Sequence, residues 1–475
     1  MSLAEVARAV GGELTGPDAT VTAGVEVDSR QVVAGGLFVA LPGERTDGHD
    51  HVAAAHAAGA VGALVERVVT GVPCVVVPDA LVALQALARQ VLARDQPLTY
   101  GVTGSSGKTS TKDLLAHLLG GSDMVAPVGS FNNEVGLPLT CLRRTAGTRA
   151  VVLEYSARGV GHIAFLCSIA RPHVAIVLNV GSAHLSEFGS VAAIAQAKGE
   201  LVEAVLPFGD APGRVVLNGD DPRVAAMADR APAGSRVLVF GAGGDVAATD
   251  VVLDAGGRAA FTLVTGGERE RVQLDLVGAH QVGNALAALL AASDRYAGPV
   301  PHATAVARLQ TATAASRWRM EVTERPDGVT VVNDAYNANP ESVRSALGTL
   351  ATMGGPAPVR RWAVLGPLAE LGEHTDPAQH ELGRLAAELG VDRVVTVGPG
   401  ADAYADGFEA ARPVGAQPAL RATDVRAAVT ALRAELRPGD VVLVKASRSA
   451  GLEELAGALL DPPAPGPAAR PGGGP

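Results

Sequence analysis

Residues 100–111 read Y-G-V-T-G-S-S-G-K-T-S-T, an apolar run closing in a cluster of small residues and then Lys108 and Thr109. Small residues let backbone N–H groups approach phosphate oxygens, the lysine brings an ammonium to the β and γ phosphates, and the threonine hydroxyl suits Mg²⁺. Gly104, Ser105, Ser106, Gly107, Lys108, Thr109 and Ser110 are therefore the candidate phosphate contacts. The usual spacing, G-x-x-x-x-G-K-[ST], asks for glycine at 102, where this chain has Val102 between Gly101 and Gly104. A Gly and Ser cluster alone is only a turn. Its flanks decide the reading: residues 98–103 read as a buried strand, and Leu114, Leu115, Leu118 and Leu119 form one face of a following helix.

Working outward, residues 150–154, 173–178 and 214–217 are continuous apolar runs suited to parallel strands buried on both faces. With the helices between them they predict a P-loop-type doubly wound parallel sheet in a central domain, residues 98–315. Residues 258–276 read as a hairpin around T-G-G-E, before a helix at 281–292. The preceding segment alternates short apolar runs (25–27, 37–41, 74–77) with an Ala-rich helix at 81–92, a small N-terminal α/β domain over residues 1–97. From 316 to 460 a third alternation has strands at 328–332, 362–365, 393–397 and 440–444 and helices at 342–350, 377–389 and 424–436, a C-terminal Rossmann-like domain. Residues 461–475, D-P-P-A-P-G-P-A-A-R-P-G-G-G-P, have nothing to bury and are expected to be a disordered tail.

Composition agrees with an α/β reading in three domains. The chain has 475 residues, 48% hydrophobic and 19% charged, enough to build packed cores. A net charge of -10 argues against nucleic acid as the partner, while leaving room for a local basic pocket. Cys74, Cys141 and Cys167 form no C-x-x-C pair and lie in apolar surroundings, as buried thiols of a reducing compartment do. No signal peptide opens the chain and no apolar run is long enough for a membrane span, so a cytoplasmic protein is expected.

Beyond the loop, Glu154 ends a buried strand, where acids of nucleotide sites collect. The next strand runs into N-V-G-S-A-H, which puts His184 beyond the neighbouring strand end. Lys198, in A-Q-A-K-G-E, reads by itself as an ordinary solvated helix lysine. In the third segment N-D-A-Y-N-A-N-P-E-S follows a strand and opens a helix, with Asn339 or a neighbour as cap and Pro340 in the first turn. Capping leaves Asp334, Tyr336 and Asn337 unexplained; together they offer a carboxylate, a stacking ring and an amide to a nucleoside. Arg317, Lys445 and Arg448 add fixed cations.

Taken in order, these stretches resemble the Mur ligases, and most closely their D-alanyl-D-alanine-adding branch. The resemblance spans nearly the whole chain before the tail. It rests on D-S-R from Asp28; G-L-F-V-A-L-P-G-E-R-T-D-G-H from Gly36; the phosphate loop; S-F-N-N-E-V-G-L-P from Ser130; N-V-G-S-A-H from Asn179; A-K-G-E from Ala197; G-A-H-Q-V-G-N-A-L-A-A from Gly278; S-R-W-R-M-E from Ser316; N-D-A-Y-N-A-N-P from Asn333; L-G-P-L-A-E-L-G from Leu365; and V-K-A-S-R-S from Val444. The family plan implies a UDP-substrate domain, a central ATPase domain and a Rossmann-like ligase domain. It implies that Lys108 and Thr109 hold ATP and Mg²⁺, that Glu154 and His184 bind metal, and that Lys198 is carbamylated and becomes a ligand, with two Mg²⁺ ions in all. Asn284, Arg317, Asp334, Tyr336 and Asn337 would surround the nucleotide. Ser29, Arg30, Asn132, Asn133, Ser156 and Arg158 would face the UDP-linked substrate, and Lys445, Ser447 and Arg448 the dipeptide or the closing interface. The implied reaction adds D-Ala-D-Ala to UDP-MurNAc-tripeptide through an acyl phosphate, in peptidoglycan precursor synthesis, by a protein expected to act as a monomer. Tyr155-Ser156 departs from the branch pattern of Met or Leu then Gly, and Gln281 and Leu368 stand for its usual Asn and Met. Three other readings share these residues: a diamino-acid-adding Mur ligase, a folylpolyglutamate-synthetase-like ligase, and a nucleotide-binding regulatory protein that does not ligate.

Overall fold

The computed structural model describes residues 1–43, 46–121, 123–127, 129–183, 185–354 and 359–461; the expected tail beyond Asp461 lies outside them. The described chain builds three α/β sheets and packs as two compact units. The first unit comprises Met1–Val180, Val191–Ala247 and Gly283–Leu309, and the second comprises Gly181–Ser190, Ala248–Val282 and the chain from Gln310.

The N-terminal sheet contains β1 (Glu13–Thr15), β2 (Val25–Glu26), β3 (Leu37–Val39), β4 (Gly62–Val65) and β5 (Cys74–Val76), in the order β1-β5-β4-β3-β2. Only β1 runs antiparallel to its neighbour. The helix Leu3–Val10 starts on a capping box of Ser2 and Glu5 and stops at Gly11 in the left-handed region (φ 68°). Asp79 caps the long helix Ala80–Asp95 through the Val82 N–H.

In the first unit the central sheet is formed by β6 (Leu98–Thr103), β7 (Met124–Val125), β8 (Ala150–Glu154), β9 (Val174–Val177), β10 (Arg214–Asn218) and β11 (Arg236–Phe240). Their order is β11-β10-β9-β6-β8-β7, every pair parallel. β6 is therefore flanked by β8 on one side and β9 on the other, and the order of connection reverses there. A crevice opens at such a reversal, beyond the carboxyl ends of the strands. β12 (Val246–Leu253) begins in this unit, where Val246 pairs with Phe240, and leaves it after Ala247.

The second unit holds the hairpin of β13 (Arg258–Thr265) and β14 (Glu268–Val277), turned at Gly266 and Gly267, both at positive φ as a tight two-residue turn needs. Its main sheet contains β15 (Glu321–Glu324), β16 (Thr330–Asn333), β17 (Arg361–Leu365), β18 (Arg393–Val397), β19 (Leu420–Ala422) and β20 (Val441–Lys445), ordered β15-β16-β20-β17-β18-β19. All pairs but β15–β16 are parallel. Alternation along β17 serves two cores: Ala363 and Leu365 join Leu347, Tyr404 and Phe408 on one face, Trp362 and Val364 join Leu432 and Leu455 on the other. The strands missing from the sequence reading include β15, all four of whose residues are exposed, and β12, half of whose residues are exposed. Neither carries the apolar run by which a buried strand is read.

Candidate active site

β6 ends at Thr103, residues 104–107 turn, and the helix Lys108–Leu119 begins with Gly107 as its N-cap at φ 81°. Gly107 is a glycine for two reasons: the left-handed backbone, and a Cβ that would come 2.6 Å from Asn284 Oδ1. The missing glycine at 102 is explained by the sheet. Val102 is fully buried mid-sheet, opposite Glu154 on β8 and Ile176 on β9, so the turn begins two residues later at Gly104. Asn179 braces the turn from the end of β9: its carbonyl accepts from the Ser105 N–H (3.1 Å), its Oδ1 accepts from the Ser106 N–H (2.9 Å), and its Nδ2 donates to the Ser106 carbonyl (3.2 Å). Asn284 fixes the helix from the other side, accepting from the Thr111 hydroxyl at 3.2 Å.

The chemistry-bearing side chains of this unit gather around that turn. Lys108 Nζ donates to the Gly104 carbonyl at 2.7 Å, folded back over the loop it is to serve. The Thr109 hydroxyl donates to Glu154 Oε2 at 3.0 Å. Because its single proton is used there, Ser130, 3.0 Å away, is the donor to Thr109. Asn132 Nδ2 donates to the other Glu154 oxygen at 2.8 Å. Asn133 holds the start of the helix Gly136–Leu142, its Oδ1 accepting from the Gly136 N–H at 2.9 Å. The Ser156 N–H donates to the Asn132 carbonyl at 3.1 Å, whereas Arg158 is exposed. Tyr155 is wholly buried, its hydroxyl donating to the Ala170 carbonyl at 2.5 Å and its ring filling the space beside Gly101.

Lys198 sits on the helix Val191–Glu203, only 7% exposed. Burial, and secondarily the positive charge of Lys108, push its pKa well below the usual lysine value. The solvated lysine read from the sequence is thus a buried amine within electrostatic reach of the phosphate loop. His184 lies outside the described residues. Its neighbours belong to the second unit: Ser182 N–H donates to Glu341 Oε1 at 2.8 Å, and the Ser186 hydroxyl to the Glu370 carbonyl at 2.8 Å. Among the described residues no group of three His, Cys, Asp or Glu stands ready to hold a metal.

In the N-terminal sheet Asp28 caps the short turn Ser29–Gln31, and Arg30 folds back onto it, Nη2 to Oδ2 at 2.8 Å. That contact, chiefly, holds the Asp28 carboxyl well below the ordinary range, although the Arg30 side chain is 88% exposed. His49 of the T-D-G-H stretch is a structural tie. Its Nε2 accepts from the Glu66 N–H (2.9 Å), which assigns the ring proton to Nδ1, 2.6 Å from Asp47 Oδ1.

The second unit assembles a separate cluster at the end of β16. Lys445, 2% exposed, donates to Asp334 Oδ2 at 2.5 Å and to the Asn337 carbonyl at 3.0 Å. The Met320 N–H donates to the other Asp334 oxygen at 3.1 Å. Trp318 and Met320 are at φ 60° and 51°, a left-handed backbone that side chains resist and that is found where geometry is held for a purpose. The Arg319 guanidinium lies 4.2 Å over the Tyr336 ring and that of Arg448 4.5 Å over Trp318. Ser447 is buried, its hydroxyl accepting from the Ala369 N–H at 2.8 Å. Asn337 and Arg317 are exposed. Asn339 caps its helix as the sequence reading has it, accepting from Ser342 N–H at 2.9 Å.

Sequence reasoning gave no role to Ser130 or Asn179. Both lie in stretches it had singled out, and Asn179 carried a signal in being among the first residues past a buried strand. The pairing of Asp334 with Lys445 had none, since 111 residues separate them.

Comparison with known proteins agrees with this layout. The Mur ligase middle domain matches residues 102–292, the glutamate ligase domain of Mur ligases residues 318–448, and the Mur ligase catalytic domain family residues 21–91. A UDP-N-acetylmuramoyl-tripeptide–D-alanyl-D-alanine ligase of Mycobacterium bovis is 46% identical, over 97% of this chain and 98% of the relative. Among solved structures, MurF from Acinetobacter baumannii superposes with a TM-score of 0.83 at 30% identity, covering 96% of this chain and 98% of that one. MurF ligase from Thermotoga maritima, in complex with ADP, gives 0.77 at 30% identity over 93% and 97%. The phosphate turn, the acid at the neighbouring strand end and the buried lysine thus stand in a chain that, end to end, belongs to the Mur ligase family.

Proposed function

We propose that this protein joins D-alanyl-D-alanine to UDP-N-acetylmuramoyl-tripeptide at the expense of ATP, in the cytoplasm and as a monomer. The observation that carries the reading is the 46% identity to such a ligase over 97% of the chain. A carboxylate cannot be attacked directly by an amine at a useful rate, so it must first be activated. A carboxylate oxygen of the tripeptide attacks the γ-phosphorus of ATP; the new O–P bond forms as the bond to the bridging oxygen breaks, and ADP leaves. The dipeptide amine then adds to the acyl carbon, loses its proton, and expels inorganic phosphate as the amide forms.

The chain's residues have distinct parts in this. The N–H groups of residues 104–109 and the Lys108 ammonium receive the phosphates and stabilise the charge that builds on the transferring group. Thr109, Ser130 and Glu154 present hard oxygen donors of the kind Mg²⁺ prefers, so the residues fit the ion. Thr109 and Glu154 would hold it, with His184 and Lys198, the latter as a carbamate, which a buried amine whose pKa is pushed down by burial is suited to form. Bound Mg²⁺ supplies the positive charge that lets two anions, ATP and a carboxylate, approach. Asn284 keeps the phosphate helix in place, while Arg317, Asp334, Tyr336 and Asn337 attend the nucleoside. Ser29, Arg30, Ser156 and Arg158 serve the UDP-linked substrate, and Lys445, Ser447 and Arg448 shape the dipeptide side.

Phosphate release tests this directly. With ATP, Mg²⁺ and UDP-MurNAc-tripeptide, release is expected with D-Ala-D-Ala and not with a diamino acid. Turnover only with UDP-MurNAc-dipeptide and a diamino acid would refute the reading in favour of the other branch. Lys198→Ala is expected to abolish turnover, and bicarbonate to restore part of it; full activity without Lys198 would refute its role.

A further inference from the structure

We propose that Arg230 is a positioning residue that fixes the height and rotation of the helix carrying Lys198, and that Gly199 is a glycine in order to receive it. Arg230 ends the short turn Ala226–Arg230 and lays its guanidinium across the helix Val191–Glu203. Its Nη2 donates to the Gln196 carbonyl at 2.9 Å, its Nη1 to the Ala195 carbonyl at 3.4 Å, and its Nε to Glu203 Oε1 at 2.9 Å. All three partners belong to that one helix.

The two carbonyls lie one turn before Gly199 and Glu200 and already take part in the helical ladder, so a guanidinium reaches them only where no side chain covers them. Gly199 provides that opening: a Cβ there would come 1.7 Å from Arg230 Nη1 and 2.1 Å from Cζ. Glycine inside a helix is destabilising relative to alanine, and here the guanidinium occupies the space it frees. Glu203 balances the charge, so the clamp brings no net charge to the lysine's helix. From another side, the buried Glu200 accepts from the Gly161 N–H (2.6 Å) and the Ala164 N–H (2.9 Å), at the start of the helix His162–Ile169. The A-K-G-E stretch is thus one lysine with its seating: Gly199 takes the clamp and Glu200 the brace. With side chains some 5–6 Å from the axis, a rotation of about 10° moves the lysine tip by about 1 Å, a misplacement able to cost about a hundredfold in rate.

This inference rests on the proposed role of Lys198, and its test separates the two. Steady-state kinetics are compared for Gly199→Ala, Arg230→Ala, Arg230→Lys, the Gly199→Ala/Arg230→Ala double variant and Lys198→Ala, with melting curves to verify folding. Hydrogen exchange of residues 191–203 is followed in parallel. The expected result is a fall in kcat of up to about a hundredfold for Gly199→Ala, which displaces the flexible guanidinium, and a fall of similar size for Arg230→Ala, with KM for ATP within about twofold in both. The double variant should be no worse than either single one, because each already breaks the same clamp. Arg230→Lys, which reaches one carbonyl rather than two, should fall between wild type and Arg230→Ala, and exchange should quicken whenever the clamp is broken. Wild-type kcat in Gly199→Ala and Arg230→Ala beside an inactive Lys198→Ala would overturn the clamp alone. So would a double variant whose losses multiply, or unchanged exchange in Arg230→Ala. Should Gly199→Ala fail to fold, the Arg230 pair decides by the same kcat and exchange criteria. Full activity in Lys198→Ala would instead remove the reading on which the inference stands.

Discussion

Asn132 offers the sharpest test of how the site is built, because the resemblance assigns it to the UDP-linked substrate while the structure gives its amide to Glu154. The Glu154 carboxylate is 1% exposed and, among the described residues, has one partner for each oxygen, Asn132 Nδ2 at 2.8 Å and Thr109 Oγ1 at 3.0 Å. Asn132→Ala removes one of those bonds while leaving the backbone contact from Ser156 to the Asn132 carbonyl intact. A hydrogen bond to a charged group contributes about 1.5–3 kcal/mol, so if the full amount is lost from the reacting arrangement kcat falls by roughly ten- to a hundredfold. The assay is phosphate release at saturating D-Ala-D-Ala, titrated separately in Mg²⁺ and in UDP-MurNAc-tripeptide. A residue acting through Glu154 lowers kcat and raises the Mg²⁺ midpoint, while KM for the UDP-linked substrate stays within about twofold. A raised KM for that substrate with an unmoved Mg²⁺ midpoint and kcat would refute this reasoning and return Asn132 to the substrate.

Gly107→Ala should weaken nucleotide binding measured by calorimetry, since it combines a left-handed residue, costing about 1–2 kcal/mol, with a Cβ 2.6 Å from Asn284 Oδ1; wild-type affinity would show that the turn tolerates a side chain. Lys445→Met leaves Asp334 without its cation in a largely buried site and should cost about 3–5 kcal/mol in urea unfolding, much of it regained in Asp334→Asn/Lys445→Met. Equal losses in the single and double variants would show that no uncompensated charge is involved. His173 is kept below the usual histidine pKa by burial, its Nδ1 accepting from the Thr99 N–H at 3.0 Å. The unfolded chain therefore binds this proton more readily, so His173's contribution is fully present above the unfolded pKa of about 6.5 and is lost as pH falls towards the lower folded value. Unfolding free energies measured between pH 7 and 5 should decline less steeply in His173→Asn; identical slopes would exclude the imidazole.

What the sequence made legible divides along physical lines. Strands buried on both faces announce themselves as apolar runs, and β6, β8 and β18 begin and end where those runs do. Signals that are local in the chain also survive: the T-G-G-E turn, the Asn339 cap and the phosphate turn all depend on residues within a few positions of one another. Edge strands such as β15 bury no residue and left no pattern to read. The partners of individual side chains were the least legible, because they come from distant elements. Asn132 and Glu154 are 22 residues apart, Thr109 and Glu154 are 45 apart, and Lys445 and Asp334 are 111 apart.

Val102 and Lys198 show why a motif read in isolation misleads in both directions. Val102 breaks the expected glycine spacing, yet it lies in the strand between β8 and β9, two residues before the turn begins; the left-handed freedom is needed at Gly107, where φ is positive. Lys198, conversely, sits in a helix of small residues that gives no warning of burial, since an Ala-rich face packs as tightly as a leucine-rich one while presenting a weaker apolar contrast. Ala197 and Leu201 are fully buried beside it and carry the amine inward with them. An amine so placed is costly to keep charged, and alanine would be the better helix former at the same position. Lys198 stands between a residue that admits a guanidinium and one that braces a second helix, and this fixed, buried setting, which disfavours the ammonium form, is what the proposed carbamate role asks of it.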